Sequence, residues 1–187
     1  MGQRYDERRS QIRTGNVVME NEIVNKVAQS SLMIFDLEDY YPAEELVVLD
    51  ISQWLFEGFL LKEKDFRNSL KNFDFSIYQN KLVAISCLTD AILPSWAFML
   101  VASYVQPFAK KMIQGSKRHL IVTYYQQLID TLDFSVYDNQ PVIIKGCSKK
   151  PIPEEAYVMA TQKMMNHARS IMFGEACSAV PIFKQKK

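Results

Sequence analysis

Two apolar runs in the first third of the chain have the composition of β-strands. LMIFDL at residues 32–37 and ELVVLDI at residues 45–51 are rich in Leu, Ile and Val, and such side chains suit a half-buried extended backbone. Between them, EDYYPAE combines Tyr, Pro and acidic residues, which indicates a turn. The pattern predicts two strands joined as an N-terminal β-hairpin.

One motif then occurs twice. DFSIYQN at residues 74–80 returns as DFSVYDN at residues 133–139, 59 residues further along. The first copy follows a segment with apolar residues at helical spacing, and each copy precedes a short apolar run, LVAISC or PVIIKGC. Further matches keep the same spacing, so we predict a tandem repeat with copies at about residues 64–115 and 123–174.

Each copy is predicted to contain a helix, a buried strand and a second helix. Pro94 and Pro153 suit the first turn of that second helix, and Gly115 and Gly174 suit its C-terminal end. The predicted fold class is α/β: a layered sheet with helices, built from a tandem helix–strand–helix repeat plus the N-terminal β-hairpin.

Composition and charge are those of an ordinary globular protein. Of 187 residues, 48% are hydrophobic and 23% charged, and the net charge is +1, so neither nucleic acid nor a membrane is expected as a partner. Residues 1–18 are polar and aperiodic, which predicts a disordered extension before a single domain at residues 19–187. The sequence shows no recognisable signal peptide or membrane span, so we expect a cytoplasmic location.

The main candidates for chemistry are three cysteines: Cys87, Cys147 and Cys177. Cys87 and Cys147 follow the two equivalent strands, and ligands of open α/β sheets bind at the carboxyl ends of strands. Cys177 follows the last predicted helix, which would carry it to the opposite edge of the sheet unless the tail returns. An odd, sparse set of cysteines does not suggest a disulfide framework, so free thiols are expected.

Three interpretations of these thiols stay open. They are small buried hydrophobic residues, or ligands of a transition metal or iron–sulfur cluster with Asp90 or His167 as a fourth ligand, or groups that carry sulfur or respond to oxidation. The sequence has no C-x-x-C motif to strengthen the metal hypothesis, and it lacks the C-x5-R motif of a phosphatase.

Lys149 and Lys150 form a candidate anion-binding site, because they lie beside the predicted start of a helix. A solvated loop is the other interpretation of these lysines. A thiol enzyme acting on a small anionic substrate would use this site. The sequence shows no candidate general base beside any cysteine, however, which a thiol enzyme would need. A non-enzymatic role is therefore favoured over an enzyme.

Five segments carry a resemblance to a known family: EIVNKVAQSSLMIFDLEDYYP, FLLKEKDFR, DAILPSWAFML, IKGCSKKPIPEEAY and GEACSAVPIFK, which lie between Glu22 and Lys184. Together they resemble a bacterial family, the domain-of-unknown-function family 2480. The resemblance implies no established activity. It implies a genomic setting near genes for iron–sulfur cluster assembly, which directs attention to the three cysteines without assigning any of them a role.

Two functions follow as hypotheses. The first is an accessory factor in iron–sulfur cluster or sulfur metabolism, which holds a metal, a cluster or a sulfur with its strand-end cysteines and works with protein partners of the assembly machinery. The second is a cofactor-free structural or adaptor protein that acts through protein–protein contacts. The metal and sulfide content of the purified chain distinguishes them.

Overall fold

Strands and helices alternate along the chain, as the α/β prediction requires. The structure is a computed structural model that describes residues 32–146, 149–175 and 178–186. The strands and helices are β1 (Met33–Phe35), β2 (Leu46–Asp50), α1 (Glu63–Asn72), β3 (Leu82–Ser86), α2 (Ser95–Val105), β4 (Lys111–Gln114), α3 (Lys117–Thr131), β5 (Pro141–Lys145), α4 (Glu154–Met164), β6 (Ser170–Glu175) and β7 (Ser178–Lys184). The α/β class is confirmed.

The strands form two separate sheets. A three-stranded sheet has the order β2-β3-β4 and is parallel throughout, whereas a four-stranded sheet has the order β1-β5-β6-β7 with only β7 antiparallel. The central strands β3 and β5 read LVAIS and PVIIK, and their middle residues are buried. Continuous apolar runs of this kind are typical of parallel strands that are covered on both faces.

The prediction of an N-terminal β-hairpin is wrong. β1 pairs in parallel with β5, and β2 pairs in parallel with β3, so the two strands lie in different sheets. Residues Leu37–Tyr40 between them form a 3₁₀ turn. Each of the two strands lies beside a central apolar strand and buries one large side chain, Phe35 or Leu49, which covers more apolar surface than an isolated hairpin could.

Elements recur with the predicted spacing. β3, α2 and β4 begin at residues 82, 95 and 111, and β5, α4 and β6 begin at residues 141, 154 and 170. Descent of the two halves from a tandem duplication stays a prediction. The predicted helix ends at Gly115 and Gly174 are wrong, because α2 ends at Val105 and α4 at Met164. A strand follows each helix, and both glycines, with positive φ, lie at strand ends.

The DFSxYxN motifs form a turn that starts each central strand. Asp74 accepts a hydrogen bond from the Ser76 N–H, and Asp133 accepts one from the Ser135 N–H, each at 2.9 Å. The phenylalanine that follows each aspartate is buried. Asn80 and Asn139 end the motifs with φ values of 58° and 57°, a left-handed conformation that asparagine tolerates. The motif therefore has a structural role in both halves.

Helix α3 packs against both sheets. Leu120 contacts Leu82 and Ala84 of the three-stranded sheet, whereas Ile121 and Tyr125 belong to the core of the four-stranded sheet. The chain enters α3 from the carboxyl end of β4 and leaves it toward the amino end of β5. The carboxyl ends of the parallel strands in both sheets therefore point toward the N-terminal end of α3.

The other helices complete the layers. α1 and α2 cover the second face of the three-stranded sheet through a core that includes Phe66, Leu70 and Val101. α4 runs parallel to α3, because Arg118 pairs with Glu155 at their N-terminal ends and Asp130 pairs with Lys163 at their C-terminal ends. None of the helices in the described ranges has the length and apolar character needed to cross a bilayer.

Candidate functional site

The first candidate region is the carboxyl edge of the three-stranded sheet, where β2 ends in Asp50 and Cys87 follows β3. The Cys87 side chain is half-buried and packs against the core that α1 and α2 form. Its Sγ lies 3.4 Å from the Thr89 hydroxyl oxygen and 3.6 Å from the Thr89 carbonyl oxygen. These contacts hold the thiol within its own loop.

Asp50 fixes the loop that carries Cys87. Its carboxylate accepts hydrogen bonds from the Leu88 N–H at 3.0 Å, from the Ser52 N–H at 2.9 Å and from the Ser52 hydroxyl at 2.5 Å. Burial disfavours the charged form of this carboxyl, but the hydrogen bonds from Ser52 and Leu88 outweigh that effect and lower the pKa of Asp50 below the ordinary aspartate value. The carboxylate is therefore a structural anchor at neutral pH.

The carboxyl edge of the four-stranded sheet carries a different charge arrangement. Asp36 follows β1 and forms an ion pair with Lys145 at the end of β5, with an Nζ–Oδ2 distance of 2.6 Å. The hydrogen bond to Asp36 and the charge of that carboxylate raise the pKa of Lys145. The Lys145 ammonium therefore keeps its charge at neutral pH, and the ion pair contributes no net charge to this edge.

Cys147 and Cys177 lie outside the described residues, and the last described residues before them are Gly146 and Glu175. Lys145 of β5 is the register partner of Gly174 of β6, and the Gly146 N–H donates to the Gly174 carbonyl at 3.3 Å. The sequence placed Cys177 at the opposite edge unless the chain returns after the last helix, and β6 does return, in parallel with β5, although Cys177 itself lies outside the described residues. The segments that carry these two cysteines therefore start from neighbouring strands at one edge.

The other predicted site residues are exposed. Asp90 lies in the loop after β3, and Lys149 and Lys150 precede α4. The Lys149 N–H donates to the Glu38 carboxylate at 3.0 Å, and the Lys150 ammonium lies 5.5 Å from the centre of the Tyr41 ring. A carboxylate of the chain thus lies where an anionic ligand was expected, and the anion site stays a prediction.

The described residues contain no group of three or more His, Cys, Asp or Glu side chains that could hold a metal ion. A metal site that uses Cys87 and Asp90 with the other two cysteines stays a prediction, since two of its four members lie outside the described ranges. His167 is held by Asp138, with 2.6 Å between Nδ1 and Oδ1. That carboxylate, on the turn before β5, gives His167 a structural partner.

Sequence reasoning missed Asp36 and Asp50 as organisers of the two edges. The strings IFDLEDY and VLDISQW place an aspartate after an apolar pair at the end of a strand, 14 residues apart. Each aspartate accepts a hydrogen bond from the N–H two residues further along, at 2.9 Å, and so caps a 3₁₀ turn. The similarity of the two strings could have indicated that both aspartates cap equivalent turns.

The fold and the two sheet edges define an α/β protein with carboxylates and a thiol at the carboxyl ends of parallel strands. The chain belongs to the family described as protein of unknown function (DUF2480), whose model matches residues 21–185. This confirms the family resemblance that the sequence carries. Neither a curated protein nor a solved structure matches the chain.

Proposed function

We propose that this protein is an accessory, non-enzymatic factor in iron–sulfur cluster or sulfur metabolism. Its working groups are the thiols of Cys147 and Cys177, which hold a metal, a cluster or a sulfur atom. One observation carries the proposal: β5 and β6 are neighbouring parallel strands, and Lys145 at the end of β5 is the register partner of Gly174, one residue before the end of β6. The two cysteine-bearing segments begin there.

The spacing of strands makes a shared site feasible. Neighbouring strands lie about 4.8 Å apart, and two thiolates that bind one zinc or iron ion need metal–sulfur distances of about 2.3 Å. Segments that leave adjacent strands at the same edge can satisfy both distances without crossing the sheet. Soft thiolate ligands favour zinc, copper(I) or iron–sulfur clusters over magnesium or calcium.

Cys87 has a structural role in this proposal. It belongs to the three-stranded sheet, packs against an apolar core and contacts Thr89. A free cysteine in such surroundings behaves as a small hydrophobic residue. It therefore supplies the internal control for the other two cysteines.

The test is anaerobic purification followed by measurement of iron, zinc and labile sulfide per chain and of the visible spectrum. Bound metal or sulfide is expected in the wild-type chain, and Cys147→Ser or Cys177→Ser should remove most of it while Cys87→Ser leaves it unchanged. A metal-free, sulfide-free chain whose thiols are all free and slow to react with an alkylating agent overturns the proposal. So does equal loss in all three variants.

The second candidate is a cofactor-free adaptor, and a groove beside α4 favours it. The groove has a volume of about 470 Å³ and is lined by Val158, Met165, Phe173 and Ile182 among others. Val158, Met165 and Ile182 are exposed at its rim, and exposed apolar clusters of this kind mark protein contacts. In a cellular complementation assay, full activity of a cysteine-free variant together with failure of Ile182→Lys would favour the adaptor.

A further inference from the structure

The equivalent strands β4 and β6 differ in whether another strand pairs with their outer side. In the four-stranded sheet, β6 pairs on its outer side with the antiparallel strand β7. In the three-stranded sheet, β4 occupies the corresponding place, and within the described ranges its outer side pairs with no strand. An unpaired edge strand presents backbone donors and acceptors that can accept another strand.

The orientation of these donors follows from one hydrogen bond. The Gly115 N–H donates to the Ile85 carbonyl of β3 at 2.9 Å. Successive peptide groups of a strand alternate in direction, so the N–H groups of Met112 and Gln114 point away from β3. The outer edge of β4 therefore offers at least two backbone donors.

An apolar groove continues past this edge. Its volume is about 490 Å³, and its lining includes Phe98, Met99 and Ala102 of α2 with Met112 and Ile113 of β4. Met112 belongs to the core on the α2 side and Ile113 to the core on the α3 side, so the groove reaches around the strand edge. In the other half, Ile182 of β7 lines the corresponding groove beside α4.

The charges around the edge suit a copy of the same chain. Around a two-fold axis each residue lies near its own counterpart, so a charged residue at the axis meets a like charge. α2 reads SWAFMLVASYV and carries no charged side chain, and its Met99 is 70% exposed. The Lys110 ammonium pairs with Glu44, and the Lys111 ammonium with Gln127. Both lysines are therefore already occupied.

We propose that two copies of this chain associate through their β4 strands. The strands pair antiparallel around a two-fold axis perpendicular to the sheet, which joins two three-stranded sheets into one of six strands. α2 of each copy then lies beside α2 of the other across the seam, and the exposed Met99 side chains enter the facing grooves. The β4 strand of the second copy thus pairs with the open edge of β4, as β7 pairs with the outer edge of β6. This association is independent of the thiol site.

Sedimentation velocity of the 187-residue chain over a concentration series tests the proposal. The expected species has about twice the 21.7 kDa mass of one chain. Met99→Lys places two like charges at the seam and should raise the dissociation constant at least about tenfold. The matched control is Val158→Lys, 59 residues further along on the equivalent helix α4, which lies beside a sheet whose edge strand β6 already pairs with β7. It should leave the dissociation constant unchanged.

A second variant addresses the strand edge itself. Gln114→Pro removes an N–H that points away from β3 and no hydrogen bond of the existing ladder, a position where edge strands tolerate proline. It should also give monomers, and circular dichroism checks that it is folded. A wild-type monomer at about 100 μM, where weak dimers are populated, overturns the proposal. A dimer that Met99→Lys leaves intact, or that Val158→Lys weakens equally, also overturns it.

Discussion

Replacing Asp50 by alanine removes a carboxylate that ties distant parts of the chain together. Asp50 caps the 3₁₀ turn Ile51–Trp54 through the Ser52 N–H, and it holds the Leu88 N–H, 38 residues further along. A cap of this kind contributes about 1 kcal/mol, and a hydrogen bond to a charged group contributes about 1.5–3 kcal/mol. We therefore expect Asp50→Ala to lower the free energy of unfolding by about 3 kcal/mol.

Urea denaturation followed by circular dichroism measures this loss. With an m-value of about 2 kcal/mol/M, the midpoint should fall by about 1.5 M while m stays constant. The control is Asp74→Ala, because Asp74 makes only the local bonds of its own turn to Ser76 and should cause a smaller shift. A midpoint shift for Asp50→Ala no larger than that for Asp74→Ala would refute the assignment of a long-range anchor.

The pH dependence gives the same prediction an independent check with Asp50→Asn. The folded chain lowers the pKa of Asp50, so the contribution of its carboxylate is complete above the unfolded value of about 4 and is lost as the pH falls through the folded pKa. The difference in unfolding free energy between wild type and Asp50→Asn should be constant from about pH 7 to 5 and shrink below about pH 4. A difference that grows on acidification contradicts the sign of this argument.

Three smaller predictions concern the fold. Tyr125→Phe removes the buried hydroxyl that donates to the Leu37 carbonyl at 2.9 Å and should cost about 1 kcal/mol in urea denaturation; an unchanged midpoint would count against that bond. Asn80→Ala and Asn139→Ala place alanine at positive φ and should each cost about 1 kcal/mol, more than glycine at the same positions; equal melting temperatures for alanine and glycine contradict this. Phe66→Ala leaves a cavity at a fully buried site and should lower the free energy of unfolding by about 3–5 kcal/mol. A loss under about 1 kcal/mol would show that Phe66 is not tightly packed.

The α/β class and the central strands were predictable because their signal is local. β3 and β5 are continuous apolar runs, and a strand buried on both faces leaves no other pattern. The hairpin prediction failed for a different reason. A turn signal between β1 and β2 shows that the chain changes direction, but it does not show which strand each will pair with. That choice depends on the burial available beside β3 and β5, which lie far along the sequence.

β4 and β6 were missed because each begins only six residues after the end of a helix. Lys111–Gln114 has four residues and continues the apolar character of α2, so no periodicity separates strand from helix there. Pro107 could have indicated that the helix ends before β4, since proline is unfavourable inside a helix. Missing β6 also left open which edge of the sheet the chain reaches after α4, because it is β6 that brings the chain back to the edge at which β5 ends.

Part of the candidate site was predictable from the position of the strands. Cys87 follows β3 as expected, because a residue placed directly after a buried apolar run lies at the edge of the sheet. Its packing was not predictable, since the contact with Thr89 and the core of α1 and α2 depends on how the loop folds. The anchoring role of Asp50 was hidden for the same reason, because its partner Leu88 is distant in sequence.

The charges at the edge of the four-stranded sheet favour a cation held by thiolates over a free anionic ligand. Asp36 and Lys145 neutralise each other, and the Lys149 N–H is already bonded to the Glu38 carboxylate. The first turn of α4 carries Glu154 and Glu155, which oppose an anion at that helix N-terminus. Two thiolates with a divalent cation add no net charge here, whereas a phosphate-like ligand adds negative charge beside carboxylates. Metal and sulfide content is therefore the more informative measurement for this edge than a screen of anionic substrates.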